Sequence, residues 1–157
     1  MAGRIQEELK QSKPIDSLEE EIFLNLARTH EALSGEIAEL LRQHDLRPTQ
    51  YNVLRILRGA GESGLTAGEI AERMITRDPD VTRLIDRLEK RGLVERWRCT
   101  HDRRVVWTRI SPAGLEMIAP LDDSMRELHV RQLAHLGPER LATLRDLLEE
   151  ARAGIGG

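Results

Sequence analysis

Residues 66–110 constrain the fold more than any other part of the chain. Thr66-Ala67-Gly68-Glu69 has the spacing of a capping box, in which the Thr66 hydroxyl accepts from the Glu69 amide and the Glu69 carboxylate accepts from the Thr66 amide. Ile70, Ala71 and Met74 then give a short helix its apolar side. A second short helix follows after a brief turn. Asp78 is placed to cap it and Pro79 to open it, and Val81, Leu84, Ile85 and Leu88 recur at helical spacing. Gly92 stops it. The period then changes. Leu93–Arg98 and Val105–Ile110 are β-prone runs on either side of the polar, basic stretch Cys99-Thr100-His101-Asp102-Arg103-Arg104, the pattern of a hairpin. Trp97 and Trp107 lie symmetrically about position 102 and are expected to face each other across the strands. Two short helices joined by a tight turn and followed by a hairpin describe a winged helix-turn-helix.

The flanks read as helix, so the expected class is mainly α with a small β-hairpin wing. From Leu18 to about His44 the residues Ile22, Leu26, Leu33, Ile37, Leu40 and Leu41 follow a helical stripe, long for a globular helix and suited to packing on a partner subunit. Residues 1–16 are expected to be a loose arm or a short helix. Pro48 opens the next helix, with Val53, Leu54, Ile56 and Leu57 on its apolar face, and the loop Gly59–Gly64 ends it. Ser111-Pro112 starts a helix carrying Leu115, Ile118, Leu121, Met125 and Leu128 on one side. After Gly137-Pro138 a last stripe runs through Leu141, Leu144, Leu147 and Leu148 to Gly154.

Composition narrows the class further. A chain of 157 residues is one domain's worth and can bury a core without staples. The single cysteine, Cys99, cannot form an internal disulfide and fits a reducing cytoplasm. No apolar run approaches the roughly 18 residues of a membrane span, and acids stand where a secretory signal would have its apolar stretch. A cytoplasmic protein with no membrane partner is expected. There is no Gly-rich phosphate loop, nucleophile elbow or metal-ligand cluster, so neither enzymatic activity nor a cofactor or metal is expected. The histidines, His30, His44, His101, His129 and His135, form no i, i+4 pair.

Charge points to a partner. The net charge is -3, yet residues 77–109 hold ten Lys/Arg against six Asp/Glu. A basic middle between acidic ends fits a surface that meets a polyanion. The second helix of the pair would enter a major groove, where arginine reads guanine bidentately and threonine touches a thymine methyl. An arginine-bearing hairpin tip suits a minor groove. The candidate DNA-binding residues are Arg77, Asp80, Thr82, Arg83 and Arg87 on or beside that helix, and Arg98, Arg103 and Arg104 on the hairpin. Asp80 and Asp78 could select cytosine, or cap the helix and buttress arginines. A rival reading is a winged module that binds protein rather than DNA. The acidic net charge favours it and the basic hairpin opposes it.

Thr66–Arg73, Val81–Val94, Asp102-Arg103-Arg104 and Ile110-Ser111-Pro112-Ala113-Gly114 together resemble the MarR family of bacterial transcription regulators, with matching order and spacing over roughly residues 20–150. The resemblance implies a homodimer in which helices at about 18–45 and 112–153 interlock, with a winged module at about 48–111 in each subunit, all within one domain spanning 1–157. It implies binding to a palindromic duplex operator, repression of nearby genes, and release by a small-molecule effector. It places the effector pocket among the first, second and fifth helices, with His30, Tyr51 and Met117 as candidate lining. It makes Asp102 the residue that ties down a wing arginine. The oxidant-sensing cysteines of some relatives lie in the dimerisation helices; Cys99 lies in the wing and is read as structural. The chain departs from the pattern at Arg47, which stands before Pro48 where many relatives have a Ser or Thr cap.

Overall fold

The structure is a computed structural model that describes residues 3–78 and 80–155. Its elements are α1 (Ile5–Glu8), α2 (Leu18–Arg42), α3 (Pro48–Ala60), α4 (Ala67–Arg73), α5 (Val81–Lys90), β1 (Val94–Arg98), β2 (Val106–Ile110), α6 (Pro112–Ile118), α7 (Leu121–Leu133) and α8 (Pro138–Ile155). No helix among the described residues is long and apolar enough to cross a membrane.

Helix starts follow their capping chemistry. Ser17 accepts from the Glu20 amide at the head of α2, and Glu19, Glu20 and Glu21 put negative charge on its positive end. Both halves of the box at α4 form, Glu69 N to Thr66 Oγ1 at 3.3 Å and Thr66 N to Glu69 Oε2 at 2.8 Å. At α3 only half a box exists. An arginine side chain has no acceptor, so Arg47 leaves its side of the cap empty, while Gln50 Oε1 accepts from the Arg47 amide at 3.0 Å.

The structure corrects four expectations. Asp80, not Asp78, caps α5: its Oδ1 accepts from the Arg83 amide at 3.0 Å and the helix opens at Val81. Asp78 instead accepts from the Asp80 amide at 2.9 Å; Pro79 lies outside the described residues. The single helix expected after Ser111 is two, because Pro120 has no amide to donate and α7 restarts behind it. Leu115 faces outward, while Ile118, Leu121, Met125 and Leu128 are buried. Finally, α3 runs through Ala60 before a 3-10 turn at Gly61–Ser63, and α8 runs one residue past Gly154. The first sixteen residues contain α1, whose Ile5 is buried.

Helix α3 is the centre of the core. Val53, Leu54 and Leu57 are fully enclosed, among Leu41 of α2, Ile70 of α4, Ile85 and Leu88 of α5, Ile118 of α6 and Leu121 of α7. The strands pair antiparallel with Val94 opposite Ile110 and Trp97 opposite Trp107, as the symmetry of the two tryptophans predicts. An unforeseen third edge joins them: Leu65 and Thr108 exchange two 2.8 Å backbone hydrogen bonds. Gly64, at φ +68°, makes this approach possible, since a Cβ there would lie 2.6 Å from the Thr108 carbonyl oxygen. Helix α7 is tied to α3 by a fork of Arg58 on Asp122, two bonds of 2.9 Å, and the guanidinium holds the Asp122 carboxyl below its ordinary range.

Gly114 seats α6 against the root of the wing. A Cβ at this position would meet the Leu93 carbonyl oxygen and lie 2.7 Å from Ile110 Cγ1. Gly114→Ala is therefore expected to cost about 1–3 kcal/mol by overpacking, read as a lower urea midpoint with an unchanged m value. An unchanged midpoint would mean that α6 slides away from β1 and β2 without strain.

Candidate nucleic-acid interface

Helix α5 buries Val81, Leu84, Ile85 and Leu88, which leaves Thr82, Arg83 and Arg87 exposed. Arg83 and Arg87 lie one turn apart on the flank toward α3. Thr82 lies on the flank toward α4 and the hairpin, where it shares a concavity of about 420 Å³ with Thr66, Ala67 and Gly68 at the start of α4, and with Arg96 and Arg104 of the hairpin. The fold thus brings an α5 side chain and a hairpin arginine onto one concave surface. Arg77 is exposed in the turn before α5.

The hairpin tip is held by its own residues. The Arg104 amide donates to Asp102 Oδ1 at 3.0 Å, and the Arg104 guanidinium reaches both carboxylate oxygens, at 3.2 and 3.4 Å. These bonds hold the Asp102 carboxyl below its ordinary range. Asp102 thus ties down Arg104, the role the resemblance implies. Arg98 donates to the Arg103 carbonyl at 2.8 Å, so it pins the tip, while Arg103 and Arg104 point to solvent. His101 is exposed beside them. Cys99 is half-buried, and the backbone amides of Asp102 and His101 hold its thiol below the usual range.

Pairing divides the basic residues of 77–109 into two sets. Arg83 lies 3.2 Å from Asp80, Arg91 3.2 Å from Asp45, and Arg109 2.8 Å from Glu95 and 2.9 Å from Glu62. Arg109 also stacks over Trp97, 5.3 Å from the ring centre. Arg96, at the root of β1, reaches Asp86 at 2.7 Å and also binds Glu89, so it bolts the wing to α5. Among the described residues, Arg77, Arg87, Lys90, Arg98 and Arg103 have no acidic partner. Asp80 beside Arg83 fits the buttressing role that the sequence leaves open for it, whereas sequence spacing singles out none of the long-range pairs; Arg96 as a bolt is visible only once β1 lies beside α5.

A second concavity, of about 610 Å³, lies between α2, α3 and α7. His30 and Tyr51 both line it, with Arg55, Ile56, Met125 and His129. Arg55 sits over the Tyr51 ring at 5.9 Å, and Ser34 Oγ lies 3.3 Å from the His30 ring nitrogens. Met117 is not part of this lining. It belongs to α6, packs against the core, and lies 4.0 Å from Arg91. The break at Pro120 is the reason: only the α7 half of the expected long helix faces this space. Nothing in the sequence spacing connects Arg55 and His129 to this lining; the packing of α3 and α7 does.

Residues 46–106 match the model of the MarR family. The chain is 32% identical to the HTH-type transcriptional repressor IacR of Pseudomonas putida over 127 residues, 81% of this chain and 75% of that protein. It is 41% identical to a MarR transcription factor from Planctomyces limnophilus, whose crystal structure superposes with a TM-score of 0.67 over 86% of this chain and 98% of the other. The S. aureus MepR structure, solved as a DNA complex, shares the fold at 22% identity with a TM-score of 0.75, covering 84% of this chain and 96% of that one.

Arg96→Ala is expected to lower stability by about 1.5–3 kcal/mol, since it leaves two carboxylates of α5 side by side without their cation. Arg96→Lys should recover only part, because an ammonium cannot fork between two acceptors as a guanidinium does. Denaturant titration reads both effects. A wild-type midpoint for Arg96→Ala would mean the wing is held without this bolt.

Proposed function

Because the chain belongs to the MarR family of DNA-binding transcriptional regulators, which are not enzymes, we propose that it acts in the cytoplasm as a homodimeric repressor of nearby genes, binding a palindromic duplex operator and released from it by a small-molecule effector. The observation that carries this reading is the shared concave face on which Thr82 of α5 meets Arg104 of the wing. In this reading α5 lies in the major groove with Thr82, Arg83 and Arg87 toward base edges and their flanking phosphates. Arg103 and Arg104 reach the adjacent minor groove, where the potential is most negative. The MepR complex with DNA supports a DNA-facing role for this fold.

Two modules must sit about one DNA turn apart, roughly 34 Å, to hold two half-sites. Apolar side chains supply the means. Leu18, Ile22, Phe23 and Leu26 of α2 are exposed, as are Leu144 and Leu147 of α8, and α8 buries none of its residues within the chain. A partner's matching helices are the simplest cover for these faces. The effector would occupy the cavity between α2, α3 and α7. Its volume lies within the range of small-molecule sites, and its walls belong both to the terminal helices and to the winged module. A ligand there would alter the angle between dimer and module, and hence the spacing of the two α5 helices.

The base-reading role is tested by Arg83→Ala, measured on an operator selected from a random duplex pool and on random duplex. The operator should lose about 1–3 kcal/mol more than random DNA. Equal losses would mean that Arg83 touches phosphate alone.

The dimer is tested by deleting residues 137–157. Burial of a leucine is worth about 1.5–3 kcal/mol, and the deletion removes Leu141, Leu144, Leu147 and Leu148 together. Sedimentation should show monomers or aggregates, with operator binding collapsed. A well-folded truncated dimer would exclude α8 as a main dimer element.

A further inference from the structure

On the α3 flank of α5 a small concavity of about 210 Å³ brings together Arg47, Arg83 and Arg87 with Asp78 and Asp80. Both acids already have partners. Asp80 holds the Arg83 amide and guanidinium, and Asp78 accepts from the Asp80 amide. Arg47 and Arg87 are exposed and have no acidic partner among the described residues. Arg47 occupies the cap position of α3, yet its side chain cannot cap. Its backbone is nonetheless fixed, because the buried Gln50 accepts from its amide at 3.0 Å. A residue that gives up a stabilising cap and presents an unpaired cation from a fixed backbone beside α5 calls for an anion as its counterpart.

We propose that Arg47 and Arg87 together hold one backbone phosphate of the DNA strand that passes the α3 flank of α5, while Asp80 keeps Arg83 aimed at the bases. The inference rests on the DNA-binding reading above. A major groove is bordered by two phosphate strands, and α5 has a cationic concavity on each side: this one, and the one holding Arg104. Arg87 is one turn behind Arg83 on the same flank, which places its guanidinium farther from the N-terminal end of α5. Phosphate contacts position a protein on the duplex without reading sequence. Arg47 therefore sets register and affinity, not base preference.

The test is a salt series on random duplex and on the selected operator, with wild type, Arg47→Ala, Arg47→Ser and Arg42→Ala. Arg42 is an exposed arginine of α2 paired with Glu39, and it controls for the loss of one charge. Arg47→Ala should lower the slope of log affinity against log salt by about 1. It should weaken both duplexes equally, by roughly eightfold at 0.1 M salt if one phosphate contact is lost. Arg42→Ala should leave the slope unchanged. Arg47→Ser restores an oxygen acceptor to the cap, so its melting temperature should rise while its DNA binding stays as weak as that of Arg47→Ala. Opposite movements of stability and binding separate a DNA contact from a folding role. An unchanged slope in Arg47→Ala, a loss confined to the operator, or an equal loss in Arg42→Ala would each overturn the assignment. Failure of wild type to bind either duplex would instead refute the DNA-binding reading itself.

Discussion

The packing of α5 on α3 is the contact on which the rest of the structure depends. Val81, Leu84, Ile85 and Leu88 fill one side of α5 and meet the enclosed Val53, Leu54 and Leu57 of α3. An α-helix has one stripe of this kind per face, so burying it decides which residues are left outside. Thr82, Arg83 and Arg87 are exposed for that reason. The same α3 carries the Arg58 fork to Asp122 of α7 and the Tyr51 wall of the large cavity. One helix thus joins α5 and the wing to the terminal helices, and a rotation of α3 would be felt at both.

Electrostatics divides the basic segment by role. Arg96 and Arg109 hold the wing: the first binds Asp86 and Glu89 of α5, and the second binds Glu95 and Glu62 and covers Trp97. Arg91 links the end of α5 to Asp45 in the turn between α2 and α3. These arginines spend their charge inside the protein. Arg83 and Arg104 are each oriented by a carboxylate two or three residues earlier, and remain largely exposed. Such local acids reduce attraction to phosphate in general and fix the direction in which the guanidinium points, which favours discrimination over indiscriminate affinity.

The faces left uncovered are as informative as the core. In α2 the last third packs through Ile37, Leu40 and Leu41, while the first third exposes Leu18, Ile22 and Phe23. In α8 no residue is buried. The core of the winged module is enclosed around α3, and its exposed apolar side chains, Ile75 and Trp97, are isolated rather than arranged in a stripe. Under the proposed dimer, a second copy bringing the same stripes would supply a matching surface by symmetry.

Local chemistry was readable from the residues alone. The Thr66–Glu69 box, the α5 stripe, the Gly92 stop and the Trp97–Trp107 register depend on neighbours a few positions away or on a two-residue alternation, and such patterns survive in one dimension; the role of Asp102 came from the family resemblance. The cap of α5 was misplaced by two residues because Asp78 and Asp80 are equivalent as caps, and only the helix start at Val81 chooses between them. The break at Pro120 is masked in the sequence by the apolar stripe, which continues across it. The tertiary structure alone decided which arginines are free. Arg96 meets Asp86 and Glu89, Arg91 meets Asp45, and Arg109 meets Glu62 across separations that no periodicity encodes. It also put His129 and Arg55 beside His30 and Tyr51, and kept Met117 away. The reason is geometric: secondary structure follows from spacing along the chain, whereas a binding surface is composed of side chains that only the packing of separate helices brings within reach.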